Sequence, residues 1–470
     1  MENTQNTPLK ALVEVDHPWL AMAPLMIGAF VGMLSETSLN IALPQLMTAF
    51  NIPAGTVQWL VTGYMLIIGI ILPLSSIMTK WFSTRKLVSF GLAAFLIGAV
   101  ISAIAPSFTI LLTGRMIQGL GTGIVLPLMF TIAMQVFAPD KLGGAMGACA
   151  MVIMLAPAIG PTITGLILAK LSWNWIFWLF VPFLVVALFL SLTFLVNTTE
   201  LTKPHVDTLS IIESAFGFAF LVSAVSLISD FGLGSVLVWV LLLAGIIILA
   251  FYVRRQFKLT NPILNLKVFK LSQFRIGALI VMVDFGVILS AMYLLPQYIQ
   301  SGHMLAVAMA GIMLLPGGIV NAVTSAFAGR LYDNIGARKP AIFGFIIALI
   351  GSIMLATLTT SSPVWYIILA HIILMIGCPL AMSPSQTYAL NAIQGPQAAD
   401  GSTIMNTLQQ IVGAIATAIS TILLSLGQNM ASSSNKAAAF TNGTHYGFYF
   451  SIALIVIGLL LSLKIKKVND

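Results

Sequence analysis

Glu36, Arg115, Asp284 and His371 each fall inside a long apolar run of this sequence. An ionisable group in such surroundings is costly and usually faces a cavity or a partner. Buried carboxylates suit proton uptake and release, since burial favours the neutral form and a nearby cation the charged one. Asp284 sits in mid-run without a basic neighbour in sequence and is the first candidate proton carrier. Glu36 is the second candidate, as a carrier or as a counter-ion sensitive to substrate. At about 1.5 Å rise per residue, Glu36 and Arg115 lie roughly 10–12 Å below the same surface. Arg115 then has two readings: a direct pair with Glu36, or bonds to backbone carbonyls near a bend in the fifth apolar run. Further polar residues are placed along a path through the molecule. Asn40 follows Glu36 by one turn, Gln118 follows Arg115, and Asn406, Gln409 and Gln410 share one broad helical face. His371, Met375, Cys378 and Met382 also follow helical spacing, and methionine accepts apolar ligands of varied shape. Each of these stripes is more often helix packing than substrate contact.

The elements that position these residues follow from composition. The chain has 470 residues, 59% hydrophobic and 7% charged, against about 25% charged in a soluble domain. It is an all-α polytopic membrane protein. About 20 apolar residues cross a bilayer, and the sequence offers fourteen such windows, near 19–43, 54–76, 87–105, 108–134, 143–169, 174–196, 209–229, 235–253, 273–300, 306–329, 340–359, 364–390, 401–427 and 446–464. Basic residues favour the cytoplasmic side. An inside N-terminus puts Lys80, Arg85, Lys86, Arg254, Arg255, Lys258, Lys267, Lys270, Arg275, Arg330, Arg338, Lys339, Lys464, Lys466 and Lys467 inside, with Lys170 and Lys436 outside. Both termini are then cytoplasmic, and the net charge of +8 is a topology signal, with no nucleic-acid partner expected. Glu213 and Asp230, near the ends of the seventh span, reach water. The two cysteines and five histidines have no disulfide or metal-ligand spacing. No cofactor is expected, and no nucleophile–base constellation supports an enzyme. The acidic N-terminal stretch is not a cleaved signal peptide. Asn442-Gly-Thr444, in an expected outer loop, matches a glycosylation acceptor by chance.

Three stretches add structure to this outline. Leu155-Ala-Pro-Ala-Ile-Gly-Pro-Thr-Ile-Thr-Gly165 places prolines and glycines inside the fifth span. Proline bends a helix, and the small residues invite close approach of another helix. The run Arg115-Met-Ile-Gln-Gly-Leu-Gly-Thr-Gly123 crowds the fourth span with glycine. Gly329-Arg-Leu-Tyr-Asp-Asn-Ile-Gly-Ala-Arg-Lys339, after the tenth span, aligns without gaps on Ser76-Ile-Met-Thr-Lys-Trp-Phe-Ser-Thr-Arg-Lys86, after the second. Parallel repeats of this kind build transporters that bind substrate between two halves near the midplane. Pairing span two with span ten leaves spans seven and eight as an insertion.

These stretches resemble landmarks of the major facilitator superfamily. Pro157-x-x-Gly160-Pro161-x-x-x-Gly165 resembles the fifth-helix motif of its drug:proton exporters, and the Arg115 run resembles the fourth-helix motif, whose arginine is linked to proton transfer. Asp333, Gly336 and Arg338 stand in a copy of the cytoplasmic-loop motif, where the acid latches a gate by pairing with a helix end or an arginine. The copy at Ser76 departs from that pattern. Leu34-Ser-Glu-Thr37 resembles a first-helix pattern, Leu-Asp-x-Thr, with the acid shifted by one position, about 100° around the helix. Trp173-Asn-Trp-Ile-Phe177 and Leu314-Leu-Pro-Gly317 also resemble family landmarks. The resemblance covers nearly the whole chain and is nearest the fourteen-span antiporters of the lincomycin and multidrug exporter branch. It implies a major facilitator fold: a cytoplasmic N-terminus over 1–18, a six-helix bundle over 19–207, two inserted helices over 208–256 and a second six-helix bundle over 257–470. It further implies proton-coupled efflux of amphipathic, often cationic, drug-like compounds from a bacterial plasma membrane, by a monomer whose partners are small-molecule drugs, protons and the lipid bilayer. The alternative is a proton-coupled transporter of a specific metabolite or nutrient.

Overall fold

A chain crossing hydrocarbon must pair its backbone polar groups internally, which helices do within one segment. The computed structural model describes residues 13, 15–52, 54–198, 201–202, 207–232, 234–259, 262–393, 398–431 and 435–466. The side chains of Asn40, Pro44, Pro161 and Asp230, together with Lys467 and most of the N-terminal stretch, lie outside the described residues. The described residues hold fourteen long α-helices and no strand. They are α1 (Pro18–Phe50), α2 (Ala54–Trp81), α3 (Thr84–Ala103), α4 (Phe108–Val136), α5 (Leu142–Lys170), α6 (Asn174–Phe194) and α7 (Thr208–Phe231). The series continues with α8 (Val236–Lys258), α9 (Ser272–Gln297), α10 (Val307–Ile335), α11 (Arg338–Ala356), α12 (Val364–Asn391), α13 (Ala398–Met430) and α14 (Lys436–Ser462). Thirteen of them hold described stretches long and apolar enough to cross a membrane, and α7 offers a shorter apolar stretch over Thr208–Ala224.

Several helices run past the expected window. The largest difference is α14, which begins at Lys436 where the sequence suggests 446. The polar run Thr441-Asn-Gly-Thr444 reads as loop by composition, yet it packs. Thr441 and Thr444 donate to the carbonyls of Ala437 and Phe440 in their own helix, and Asn442 donates to the carbonyl of Gly427 on α13 at 2.7 Å. The glycosylation-like triplet therefore sits in a packed helix instead of a loop.

In the first half, α1 packs against α2, α4, α5 and α6, and α3 against α4 and α6. In the second half, α9 packs against α12, α13 and α14, and α11 against α12 and α14. The α7–α8 pair packs on itself; α7 packs on α2 and α13, and α8 touches the segment that follows it, over 263–270. The outer side of α8 stays bare, with Val236, Trp239, Val240, Leu243, Ile247 and Phe251 all exposed, as befits a surface turned to lipid. At the base of this pair, Arg255 forks onto Asp207 at 2.5 and 2.9 Å. The guanidinium holds the Asp207 carboxyl well below the usual carboxylate range. Asp207 also accepts from the amide and hydroxyl of Ser210, capping α7.

The halves meet along two seams, α5 with α10 and α12, and α2 and α4 with α13. Both are tightest at the end carrying Lys80 and Arg330. There Gly329 of α10 lies so close to α5 that a Cβ would collide with the carbonyl oxygen of Gly143 and the backbone of Gly147. Only glycine permits that approach. Gly329→Val is therefore expected to part the seam and to raise maleimide modification of a cysteine introduced at Ser325, whose backbone lies against Gly147 across it, several-fold. Unchanged labelling would show that this contact does not close the seam.

Candidate transport site

Three consecutive residues of α1 organise the first half. Successive helical residues turn by about 100°, so Ser35, Glu36 and Thr37 face three directions. Ser35 faces α4. Its hydroxyl lies 2.5 Å from Nη1 of Arg115, and its carbonyl accepts from Nη2. Thr37 faces α5, where a Cβ on Gly160 would stand 2.5 Å from the threonine hydroxyl. Glu36 turns to the remaining side. It is half-buried, and its Oε2 is buried without a hydrogen-bond partner among the described residues.

Arg115 is fully buried and makes no ion pair within 4 Å of a described carboxylate. Its charge is spread over neutral partners. Nε donates to the carbonyl of Leu60 on α2 at 3.1 Å, and Nη1 donates to Oε1 of Gln118 at 2.7 Å. The guanidinium carbon lies 4.1 Å from the centre of the Tyr64 ring, a cation–π arrangement. Gln118 passes the network to Ser102 on α3, and Tyr64 donates to the carbonyl of Gly32 at 2.9 Å. The direct Glu36–Arg115 pair is thus not made. Arg115 does bind carbonyls, but those of α1 and α2, away from the α5 motif. Ser35 occupies the place of the acid in the Leu-Asp-x-Thr pattern, and it is the residue that meets the arginine. The one-position shift turns Glu36 away from it.

In the second half Asp284 is wholly buried on α9, and neither carboxylate oxygen has a hydrogen-bond partner among the described residues. Its polar neighbour is the thiol of Cys378 on α12. His371, two turns earlier on α12, packs into the notch left by Gly317 of α10, its Nδ1 without a partner among the described residues. Met375 receives a contact from Nδ2 of Asn321 at 3.1 Å.

Between the halves lies a small cavity. The first half lines it with Met33, Leu126, Phe130, Ala150, Ile153 and Met154. The second half contributes Phe285, Met382, Gln386, Asn406, Gln409 and Gln410. On one side it is closed by hydrogen bonds across the seam. The hydroxyls of Thr131 and Ser402 lie 2.5 Å apart, Ser402 lies 3.0 Å from the carbonyl oxygen of Pro127, and the hydroxyls of Ser75 and Thr403 are 3.2 Å apart. Beyond them stand two polar latches. Asp333 of α10 accepts from the amides of Gly143 and Gly144 at 2.8 and 2.9 Å, at the N-terminus of α5, where the helix dipole favours an anion. Asp400, at the start of α13, accepts from the hydroxyl of Ser76 and lies 3.5 Å from Nζ of Lys80. Gly336 ends α10 at φ 72°, a backbone conformation that favours glycine. Arg338 opens α11 and makes no hydrogen bond among the described residues.

The structure therefore brings Asn406, Gln409 and Gln410 together at the cavity and leaves Gln118, His371 and Met375 out of its lining. Gln118 is consumed by Arg115, while His371 and Met375 face α10 inside the second half. Gly160 makes the close helix contact expected of it, but Gly165 has open space around it. Glu36 lies about 60° around α1 from Met33, on the cavity side though not in the lining. Sequence reasoning missed Gln386, which continues the Met382 stripe by one turn, and Asp400, which pairs with the residue that breaks the loop pattern at Lys80.

Two helical halves face each other across a cavity closed at one end, the arrangement of membrane transporters that bind their solute between two halves. The family model of the Major Facilitator Superfamily matches residues 25–417, and the chain belongs to that superfamily. It is 42% identical over 458 residues to a lincomycin resistance protein LmrB of Listeria monocytogenes, covering 96% of this chain and 97% of the relative. It is 43% identical to the LmrB of Bacillus subtilis, covering 95% and 96%. The riboflavin transporter RibZ of Clostridioides difficile is 25% identical, covering 96% and 98%. The human organic anion transporter MFSD10 shares the fold with a TM-score of 0.66 at 15% identity, covering 95% of this chain and 99% of that one. The proton:xylose symporter XylE does so with a TM-score of 0.66 at 14% identity, covering 95% of each chain. The protein is a multi-pass membrane transporter of the superfamily.

The two motif glycines separate cleanly in a test. Gly160→Ala is expected to push α5 off Thr37 and to cost about 1–3 kcal/mol, as overpacking does. Gly165→Ala is expected to leave stability within about 0.5 kcal/mol. Thermal unfolding of the detergent-solubilised variants decides, and equal midpoints would refute the contrast.

Proposed function

We propose that this chain is a proton-coupled antiporter that exports amphipathic drug-like compounds across a bacterial plasma membrane. The observation that supports this best is that each half holds an acid, Glu36 and Asp284, with a buried carboxylate oxygen lacking a hydrogen-bond partner among the described residues; Glu213 of α7, expected to reach water, has such an oxygen too but lies outside both halves. A buried acid without a partner is stable when protonated and costly when charged. Its charge state therefore biases which arrangement of the halves is favoured, and a substrate that binds one arrangement better drives the cycle. Residues 19–207 and 257–470 act as the two rocking bundles, and 208–256 is the inserted pair. The basic residues place the latched end in the cytoplasm, so the structure corresponds to a state closed on the cytoplasmic side. Asp333 and the Lys80–Asp400 pair then gate that side, and Arg115 fixes α1 so that Glu36 keeps its place. The preference for cations expected from the sequence finds no acid in the cavity lining to support it. The proposed unit is a monomer.

Everted vesicles test the reading with lincomycin, the compound in the relatives' names. An imposed proton gradient, acidic inside the vesicle, is expected to drive its accumulation. Asp284→Asn is expected to abolish that accumulation while leaving the unfolding midpoint unchanged. Accumulation unaffected by the gradient would refute antiport, and gradient-driven movement in the opposite direction would favour the metabolite-uptake alternative. At the gate, Lys80→Asp is expected to slow transport by placing two acids together. The double variant Lys80→Asp with Asp400→Lys is expected to recover most of the rate, and failure to recover would rule out the pair as a gate.

A further inference from the structure

Gln386 and Gln409 are 2% and 7% exposed, and both line the cavity. The amide nitrogen of each is buried without a hydrogen-bond partner among the described residues. Gln410 lines the same wall from α13. Buried carboxamides are usually satisfied, so two left open at one surface point to a partner that arrives from outside the chain. Asn406 differs, because its Nδ2 already donates to the carbonyl of Ser402 at 2.9 Å. Among the described residues no ionisable side chain lines the cavity. Glu36 lies off the lining, and Asp284, next to Phe285, turns instead to Cys378. The remaining wall is soft and apolar, with Met33, Met154 and Met382 beside Phe130 and Phe285.

We propose that this cavity selects uncharged, oxygen-bearing amphiphiles, with Gln386 and Gln409 donating to ligand carbonyl, hydroxyl or ether oxygens and the methionine–phenylalanine wall holding the apolar body. The proposal deepens the export reading and rests on it for taking the cavity as the substrate site. A site built to hydrogen-bond a ligand rejects an analogue that leaves its buried polar groups unpaired. A lipophilic cation without acceptor atoms would do that at both glutamines and meet no counter-charge. Methionines let the wall follow ligands of different shape, so the glutamines set the class of ligand and the wall sets no single outline.

The test is equilibrium binding to the full chain in nanodiscs with two probes. Chloramphenicol is uncharged and carries hydroxyl and amide oxygens, and tetraphenylphosphonium is a cation with no hydrogen-bonding atom. Wild-type protein is expected to bind chloramphenicol more tightly. Gln386→Met and Gln409→Met keep side-chain volume and remove the amide. Each is expected to weaken chloramphenicol binding about five-fold, the scale of one lost hydrogen bond, and to leave tetraphenylphosphonium within about two-fold, where neither a bond nor a charge is lost. Gln386→Glu, close in shape, is expected to reverse the preference between the probes, and it serves where a methionine variant fails to fold. The proposal is overturned by wild-type protein that does not bind chloramphenicol or prefers the cation. It is equally overturned by chloramphenicol binding that is indifferent to both glutamines, or by equal losses for both probes. The export reading fails separately: vesicles that show no gradient-driven accumulation while binding follows the glutamines would sink antiport and leave the selectivity standing.

Discussion

A full positive charge sealed inside apolar helices is the constraint that shapes the first half of this molecule. Moving an ion out of water costs several kcal/mol even after relaxation, on the order of 20 kcal/mol in the idealised limit. Arg115 meets that cost without a bonded carboxylate. Carbonyls on α1 and α2, a serine hydroxyl, a glutamine oxygen and an aromatic face share the charge. Because those partners sit on separate helices, the guanidinium fixes α1, α2 and α4 relative to one another, and Gln118 extends the tie to α3. With Ser35 committed to α4 and Thr37 packed on α5, helical geometry leaves Glu36 a single direction.

The two seams use opposite charge logic for the same task. On the α5–α10 seam an acid sits on backbone amides, and no basic residue is needed because the helix end supplies the positive field. On the α2–α13 seam the acid lies on the other partner, Asp400, and meets a lysine and a hydroxyl. The repeat is conserved in position within this one chain but not in charge. Salt screens both charges of an ion pair but only the one charge at a capped helix end, so the seams need not release under the same conditions.

Much of the architecture was legible in the sequence, because the length of apolar runs is set by the bilayer. Fourteen windows anticipate fourteen helices, and the small residues near Gly160 mark a true close contact. The partners were harder to read. A stripe at helical spacing fixes which residues share a face but not which neighbour that face meets. So His371 and Met375 share spacing with Met382 yet point into α10, while Gln386, one turn further on, reaches the cavity. Arg115 could be assigned a depth but not a partner, since carbonyls and hydroxyls leave no charge pattern to find. The Lys80–Asp400 contact joins residues distant in sequence, and its only trace was a lysine where the repeat elsewhere has an acid.

The α7–α8 pair is packed through α7 on α2 from one half and α13 from the other. These are the helices whose ends hold the Lys80–Asp400 latch. Under the proposed rocking of the halves, a body in contact with both sides cannot stay seated on both, so one of its faces must slip as the joint moves. Its other flank is bare and apolar, and the slip would displace surrounding lipid. Lateral pressure and acyl-chain order in the bilayer would thereby act as a brake on the working stroke.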